Sequence, residues 1–263
     1  MEGTTMFQNL GFQLYSARDL FVDPDFANLT LQKLAACGYS EIHGAGEYLP
    51  VEQLVAIAKK NGFTFCGNHY SSAKILNDPK GTMDFHRILD TTNIGFGGMP
   101  KPARTDLAEL KKFVQQANEV AKIYASEGFK VTYHNHRFEF CRIDGYKTLM
   151  DILVEELDPE NISFVLDTCW VSAAGGDPVA WMKKLAGRID ILHLKDMTLS
   201  MKDSSNPLLL TEVGYGNLSW DPIIKTAEEI GVKHYVVEQD SNWTGGPANA
   251  LRLSAEFLAQ YRK

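Results

Sequence analysis

The chain has 263 residues, 44% of them hydrophobic, and a formal net charge of −7 with acidic and basic residues mixed along its length. This composition is typical of one globular domain with a large core, here residues 1–263, and it argues against general binding to nucleic acid or to anionic membranes. The four cysteines show no paired spacing, and no signal peptide or membrane-spanning run is visible, so we expect reduced thiols in a cytoplasmic protein.

Short β-rich runs alternate with amphipathic helical stretches, and this alternation repeats eight times. We predict strands near residues 7–15, 39–44, 63–70, 94–100, 129–136, 162–170, 189–196 and 234–240. Apolar residues at helical spacing lie between these runs, and the longest stripe covers residues 105–127. Eight βα units predict an α/β fold in which a parallel sheet closes into a (β/α)8 TIM barrel.

Two segments fit this pattern less well than the others. In the fourth predicted strand, Gly95, Gly97 and Gly98 lower the strand propensity. Residues 198–217 have no clear period and follow the seventh strand, so we expect a long loop there over the barrel mouth.

Four polar residues in the second half of the chain each stand at or just past the end of a predicted strand: Glu139, Asp167, His193 and Glu238. An apolar residue stands two positions before each of the last three, and residues two apart in a strand have the same parity, so they point to the same side of it. We therefore predict that these three side chains face the lumen at its upper rim. Three carboxylates and one imidazole suit a divalent metal ion. Manganese is the first expectation, with Mg²⁺, Co²⁺ and Zn²⁺ as alternatives.

A cation at this position could hold a carbonyl and a neighbouring hydroxyl of a sugar, and it would lower the cost of forming an enediolate. Glu139 and Glu238 come from different strands and could take and return the proton as paired acid–bases. This set therefore predicts a sugar isomerase or epimerase.

Further residues near the strand ends are candidates for contact with a small sugar substrate. They are His134, His136, Lys195, Trp170, His69, His43, Tyr15 and Gln13. Each also has a structural interpretation, since a lone histidine in a strand is often a satisfied polar residue and a lysine can reach solvent. His86 and His234 are interpreted as structural.

The motifs GFQLYSARD, YHNHRFEF, VLDTCW, HLKD and YVVEQD, in this order and spacing, resemble the xylose-isomerase-like superfamily of sugar phosphate isomerases and epimerases. The resemblance implies a TIM barrel with one divalent ion, often manganese, held by Glu139, Asp167, His193 and Glu238. It also implies that the two glutamates are acid–bases. The chain departs from many relatives at the end of the second strand, where Ile42-His43 replaces Val-Glu. It also lacks the extra ligands and the basic face of endonuclease IV, another member.

Three functions stay open at this point. The first is isomerisation or epimerisation of a sugar, keto-sugar or sugar phosphate. The second is a lyase of the inosose dehydratase type, in which His134, His136 or Lys195 protonates the departing hydroxyl. The third is sugar binding without catalysis. The sequence leaves open which sugar is bound, whether it is phosphorylated, and whether the chain forms homo-oligomers.

Overall fold

The computed structural model describes residues 7–46, 48–202 and 207–262. Twelve strands lie within these ranges: β1 Leu10–Gln13, β2 Tyr39–Ala45, β3 Thr64–Tyr70, β4 Asn93–Phe96, β5 Lys130–His134, β6 Arg142–Asp144, β7 Lys147–Thr148, β8 Ile162–Asp167, β9 Ile189–Leu194, β10 Asp196–Leu199, β11 Leu208–Thr211 and β12 His234–Val237.

Eight of these strands form one closed barrel in the order β1, β2, β3, β4, β5, β8, β9 and β12, with β12 pairing back onto β1. All eight pairings in the barrel are parallel. This confirms the predicted (β/α)8 TIM barrel and its eight strands. The other four strands form two antiparallel hairpins, β6–β7 and β10–β11, in the loops that follow β5 and β9.

Helices connect the strands and cover the outside of the barrel. Ten α-helices lie in the described residues: α1 Pro24–Ala36, α2 Val51–Lys60, α3 Ser72–Asn77, α4 Pro79–Leu89, α5 Leu107–Ser126, α6 Leu149–Glu156, α7 Thr168–Ala173, α8 Pro178–Lys184, α9 Trp220–Glu229 and α10 Pro247–Leu258. Asp23 and Asp106 cap α1 and α5 by accepting backbone N–H groups. None of the helices in these ranges combines the length and apolar character needed to cross a membrane.

Three segments differ from their predicted boundaries. The sixth predicted strand ends at Asp167, whose side chain accepts the Trp170 N–H and so begins α7. The expected loop at 198–217 instead contains most of the β10–β11 hairpin, although residues 203–206 lie outside the described ranges. The fourth strand is only four residues long. Its Gly95 is required by packing, because a Cβ there would lie 2.3 Å from Cδ2 of His69.

The barrel lumen has polar side chains at both ends and an apolar layer between them. The buried layer consists of Cys66, Val165, Ile191 and Val236. The residues two positions further along β8, β9 and β12 form the upper rim, as strand parity predicts. The chemistry of the mouth is therefore separated from the lower end of the barrel by packed side chains.

Asp196, which is fully buried, organises the loop between β11 and α9. Its Oδ2 accepts the backbone N–H groups of Gly214 and Gly216 and the indole N–H of Trp220, at 2.8–3.2 Å. Its Oδ1 accepts two further backbone N–H groups. One carboxylate thus satisfies five donors that would otherwise be buried without partners.

We predict that Asp196→Asn destabilises the fold by about 2–4 kcal/mol, because an amide NH2 would face N–H donors in place of an oxygen. The measurement is urea unfolding followed by circular dichroism. The control is Asp144→Asn, which removes the same charge from an exposed position and should cost under about 0.5 kcal/mol. Equal stability of the two variants would contradict this role of Asp196.

Candidate active site

Four buried side chains converge at the upper rim of the barrel: His134, Asp167, His193 and Glu238. One ligand-type atom from each lies within 4.8 Å of those of the other three. His134 and Asp167 are the last residues of β5 and β8, His193 is the second-last residue of β9, and Glu238 follows β12. The closed barrel brings these strand ends together although they are up to 104 residues apart in sequence.

Two atoms of this group lack hydrogen-bond partners. His134 Nε2 and Asp167 Oδ2 are buried, make no hydrogen bond and lie 3.5 Å apart, with Lys195 Nζ 3.6 Å from the Asp167 oxygen. Buried polar atoms without partners are costly, and each one needs an explanation. Two ligands of a tetrahedral or octahedral cation at about 2.0–2.2 Å lie about 3–3.5 Å from each other. The unpaired atoms therefore fit the spacing of two ligands to one divalent ion.

Glu139, which was expected to be a metal ligand and an acid–base, is not one of the four residues of this group. It lies beyond β5 in a 3-10 turn, Phe138–Phe140, and is fully buried. Its Oε1 accepts the Tyr133 hydroxyl and its Oε2 accepts the His136 backbone N–H, both at 2.8 Å. These bonds hold the carboxylate beside the turn, and His134 occupies the position expected for Glu139.

His193 is held between two neighbours. Its Nδ1 shares a hydrogen bond with Glu238 Oε2 at 2.8 Å, and its Nε2 shares one with His43 Nδ1 at 2.8 Å. Gln13 Nε2 lies 3.4 Å from the same His43 nitrogen. A histidine that binds a metal through one nitrogen is usually oriented through the other. His43 is therefore placed to orient His193.

Three histidines at the mouth, His43, His69 and His134, are held neutral. Burial, together with the neighbouring His193, lowers the pKa of His69 to about 3. Burial and adjacent imidazoles also lower the pKa values of His43 and His134 well below the ordinary value. Neutral imidazole is the form that binds a metal ion. His43, His69 and His193 form a second group of ligand-type atoms that overlaps the first.

Lys195 provides the positive charge at the mouth. Its Nζ lies 2.7 Å from Asp240 Oδ2, 3.3 Å from Glu238 Oε2 and 3.6 Å from Asp167 Oδ2. Burial alone would lower the pKa of this ammonium group, but the three carboxylates raise it above its ordinary value. Asp240 was not among the residues predicted from the sequence. Its position two residues after Glu238 would have indicated it, because residues two apart in an extended segment point to the same side.

The carboxylates respond differently to this environment. Burial raises the pKa of Asp167 well above its usual range, and the nearby Glu238 adds to the effect. Burial also opposes ionisation of Glu238, but Lys195 and the hydrogen bond from His193 hold its pKa well below the usual range. Burial and Glu238 raise the pKa of Asp240. Three carboxylates and one ammonium group leave two excess negative charges if all ionise, the charge that one divalent cation would balance.

A cavity of about 600 Å³ opens above this group. Of the residues predicted to contact substrate or catalyse, the cavity is lined by Gln13, Tyr15, His69, His134, His136, Trp170, Lys195 and Glu238. His43 lies below it, in contact with His193 and His69. Trp170 covers Lys195, whose Nζ lies 4.7 Å from the ring centroid. The wall therefore offers both hydrogen-bonding groups and aromatic faces to a polar ligand.

The sequence model of the family described as xylose isomerase-like TIM barrel matches residues 31–261. The chain belongs to this family. Its relatives include isomerases or epimerases and dehydratases, so membership indicates an enzyme without deciding the reaction. The family resemblance noted from the motifs is thus confirmed.

Among curated proteins, the chain is 31% identical over 179 residues to an inosose dehydratase from Clostridium tetani, covering 62% of this chain and 55% of that protein. The matches to the first curated relatives span between about a third and just over half of their length.

Solved structures with the same fold match nearly the whole chain. A sugar phosphate isomerase/epimerase from Parabacteroides distasonis has a TM-score of 0.80 at 22% identity, covering 96% of this chain and 98% of that one. D-Psicose 3-epimerase from Clostridium cellulolyticum, solved with D-tagatose, has a TM-score of 0.71 at 18% identity, covering 97% and 100%. A xylose isomerase-like protein from Mycobacterium smegmatis, in complex with magnesium, has a TM-score of 0.68 at 12% identity, covering 98% and 96%.

We predict that His134→Ala weakens Mn²⁺ or Co²⁺ binding by about 100-fold or more, whereas Glu139→Gln weakens it by less than about 10-fold. Only the first variant removes a nitrogen from the converging group. Isothermal titration of the metal-stripped protein measures both affinities. Loss of binding in Glu139→Gln, with binding retained in His134→Ala, would return Glu139 to the ligand set.

Proposed function

We propose that this protein is a divalent-metal-dependent enzyme that removes a proton from the carbon next to a carbonyl of a sugar or keto-sugar. The unpaired, facing atoms of His134 and Asp167 carry this proposal, because they fit two ligands of one cation. His193 and Glu238 would complete the set. When bound there, a divalent ion would polarise a substrate carbonyl as a Lewis acid.

The donor set affects which metal is expected. Two imidazoles and two carboxylates replace the expected single imidazole and three carboxylates. A second nitrogen ligand weakens the case for Mg²⁺, which prefers oxygen, and favours Mn²⁺, Co²⁺ or Zn²⁺. The magnesium bound by the Mycobacterium smegmatis relative supports a cation site in this fold, not a particular metal for this chain.

The chain's own proton-transfer groups lie at the cavity wall. Asp240 is paired with Lys195 at 2.7 Å, and both line the cavity. Burial and Glu238 raise the pKa of Asp240, which makes this carboxylate a stronger base than an exposed one. Lys195 keeps its proton among the anionic oxygens and could donate a hydrogen bond to a departing hydroxyl. A carboxylate base and an ammonium hydrogen-bond donor are thus adjacent.

This arrangement favours a lyase of the dehydratase type over epimerisation. Epimerisation needs proton-transfer groups on opposite faces of the substrate, and Glu139, one member of the expected pair, is not among the residues that line the cavity. Elimination of water needs one base and one donor to the departing hydroxyl, roles that the adjacent Asp240 and Lys195 could take. Similarity to inosose dehydratases also supports elimination of water.

Isomerisation or epimerisation is the second candidate, because His136 lines the cavity from the β5 side. Its Nδ1 is buried without a hydrogen-bond partner, so it could exchange a proton on that side of a ligand. A panel of keto-sugars and inososes in deuterated water with Mn²⁺ separates the two. Elimination produces a conjugated enone that absorbs in the ultraviolet, whereas epimerisation exchanges carbon-bound hydrogen without such absorbance.

We predict that Asp240→Asn lowers kcat by about 10²–10⁴-fold, the usual contribution of a general acid–base group. Metal affinity should stay within about 10-fold of the original, because Asp240 is outside the converging group. The turnover assay uses the substrate found by the panel, and titration calorimetry measures metal affinity. An unchanged kcat would exclude Asp240 from proton transfer.

Removing divalent metal should abolish turnover while leaving the barrel folded, since its core lies outside the mouth. Treatment with a chelator followed by gel filtration gives the metal-free protein. Mn²⁺ or Co²⁺ should restore activity better than Mg²⁺. Full activity in protein shown by mass spectrometry to be metal-free would refute the metal-dependent mechanism.

A further inference from the structure

A second group of ligand-type side chains lies at the opposite end of the barrel from the mouth. It consists of Glu41 on β2, Cys66 on β3 and His234 at the start of β12, with one ligand atom of each within 4.8 Å of the other two. His234 Nδ1 lies 3.1 Å from both carboxylate oxygens of Glu41. The Cys66 thiol beside this pair donates a hydrogen bond to the Ile42 carbonyl at 3.5 Å.

Local backbone features bring the three residues together. The pairing of β2 with β3 shifts register between Ile42 and His43, where Cys66 is the extra residue on β3. Glu41 and His234 belong to strands on either side of β1 and reach each other across Gly11. A Cβ at Gly11 would lie 3.2 Å from Glu41 Cβ. Glycine thus leaves room for the contact.

The lower group is separate from the mouth and accessible from outside. Val165, Ile191 and Val236 pack with Cys66 and separate it from the upper rim. A cavity of about 420 Å³ at the lower end is lined by both Cys66 and His234. Glu41 and Cys66 are buried, whereas His234 is partly exposed. An ion could therefore reach the group through this cavity without passing the mouth.

We propose that Glu41, Cys66 and His234 form a Zn²⁺ site at the lower end of the barrel. Thiolate, imidazole and carboxylate are the ligand types that zinc takes, and three protein ligands leave a fourth position for solvent in the cavity. As the sulfur–zinc bond forms, the Cys66 thiol loses its proton to solvent. The thiolate and the Glu41 carboxylate then balance the charge of the ion. This site is independent of the proposed reaction at the mouth.

Cobalt provides a test specific to the lower site. Co²⁺ bound to a thiolate has a sulfur-to-metal charge-transfer band in the near ultraviolet, and the converging group at the mouth contains no sulfur. We expect this band on adding Co²⁺ to the metal-stripped full-length protein, and its loss on adding excess Zn²⁺. It should persist in His134→Ala and in Cys141→Ser, which removes an exposed thiol elsewhere.

Cys66→Ser should remove the band and lower the number of bound Co²⁺ ions by one. Glu41→Gln and His234→Gln keep the thiol and should weaken Co²⁺ binding at this site by at least about 10-fold. These two variants serve as the test if Cys66→Ser does not fold by circular dichroism. Absence of the band in the original protein at saturating Co²⁺, or its persistence in Cys66→Ser, would overturn the proposal.

Discussion

The excess negative charge buried at the mouth is the constraint on which the rest of the site depends. Asp167, Glu238 and the partly exposed Asp240 surround the ammonium group of Lys195, and the first two carboxylates and the lysine are buried. Removing one charge from water without a partner costs several kcal/mol. The protein can relieve this cost by protonating a carboxylate, as the raised pKa of Asp167 indicates, or by binding a divalent cation. The neutral histidines around the carboxylates suit the binding of a divalent cation, because neutral imidazole is a metal ligand.

The barrel tolerates such a site because its stability comes largely from elsewhere. The extended buried cluster lies between the strands and the outer helices, with Phe12, Tyr124 and Tyr133 among its largest fully buried side chains. The lumen contributes a smaller apolar layer around Val165, Ile191 and Val236. Polar groups at the two lumen ends therefore cost stability locally without disrupting the main core. Functional residues commonly break local rules of packing in this way.

The sequence predicted correctly the features that depend on the alternation of side chains along a strand. The period of the apolar runs predicted all eight barrel strands, and parity predicted that Asp167, His193 and Glu238 share one rim. Parity gives no prediction for Glu139, because this residue lies five positions past the end of β5. A 3-10 turn replaces the alternation of side chains there. The glycine in β4 could not be interpreted from propensity, since its reason is the His69 ring on the neighbouring strand β3. Partners brought together only by closure of the barrel, such as His43 with His193, have no signal in local sequence.

The donor set at the rim differs in charge from the expected one. His134 supplies a neutral nitrogen to the converging group, where Glu139 was expected to supply an anionic oxygen, and the neutral His43 contacts His193. A carboxylate at the position of His134 or His43 would add a third negative charge to the excess of two at the mouth. With neutral imidazoles there, one divalent ion is enough to balance the buried charge. Asp240 and Lys195 are an adjacent charged pair at the cavity wall, and the proposed elimination assigns proton transfer to this pair and not to two opposed glutamates.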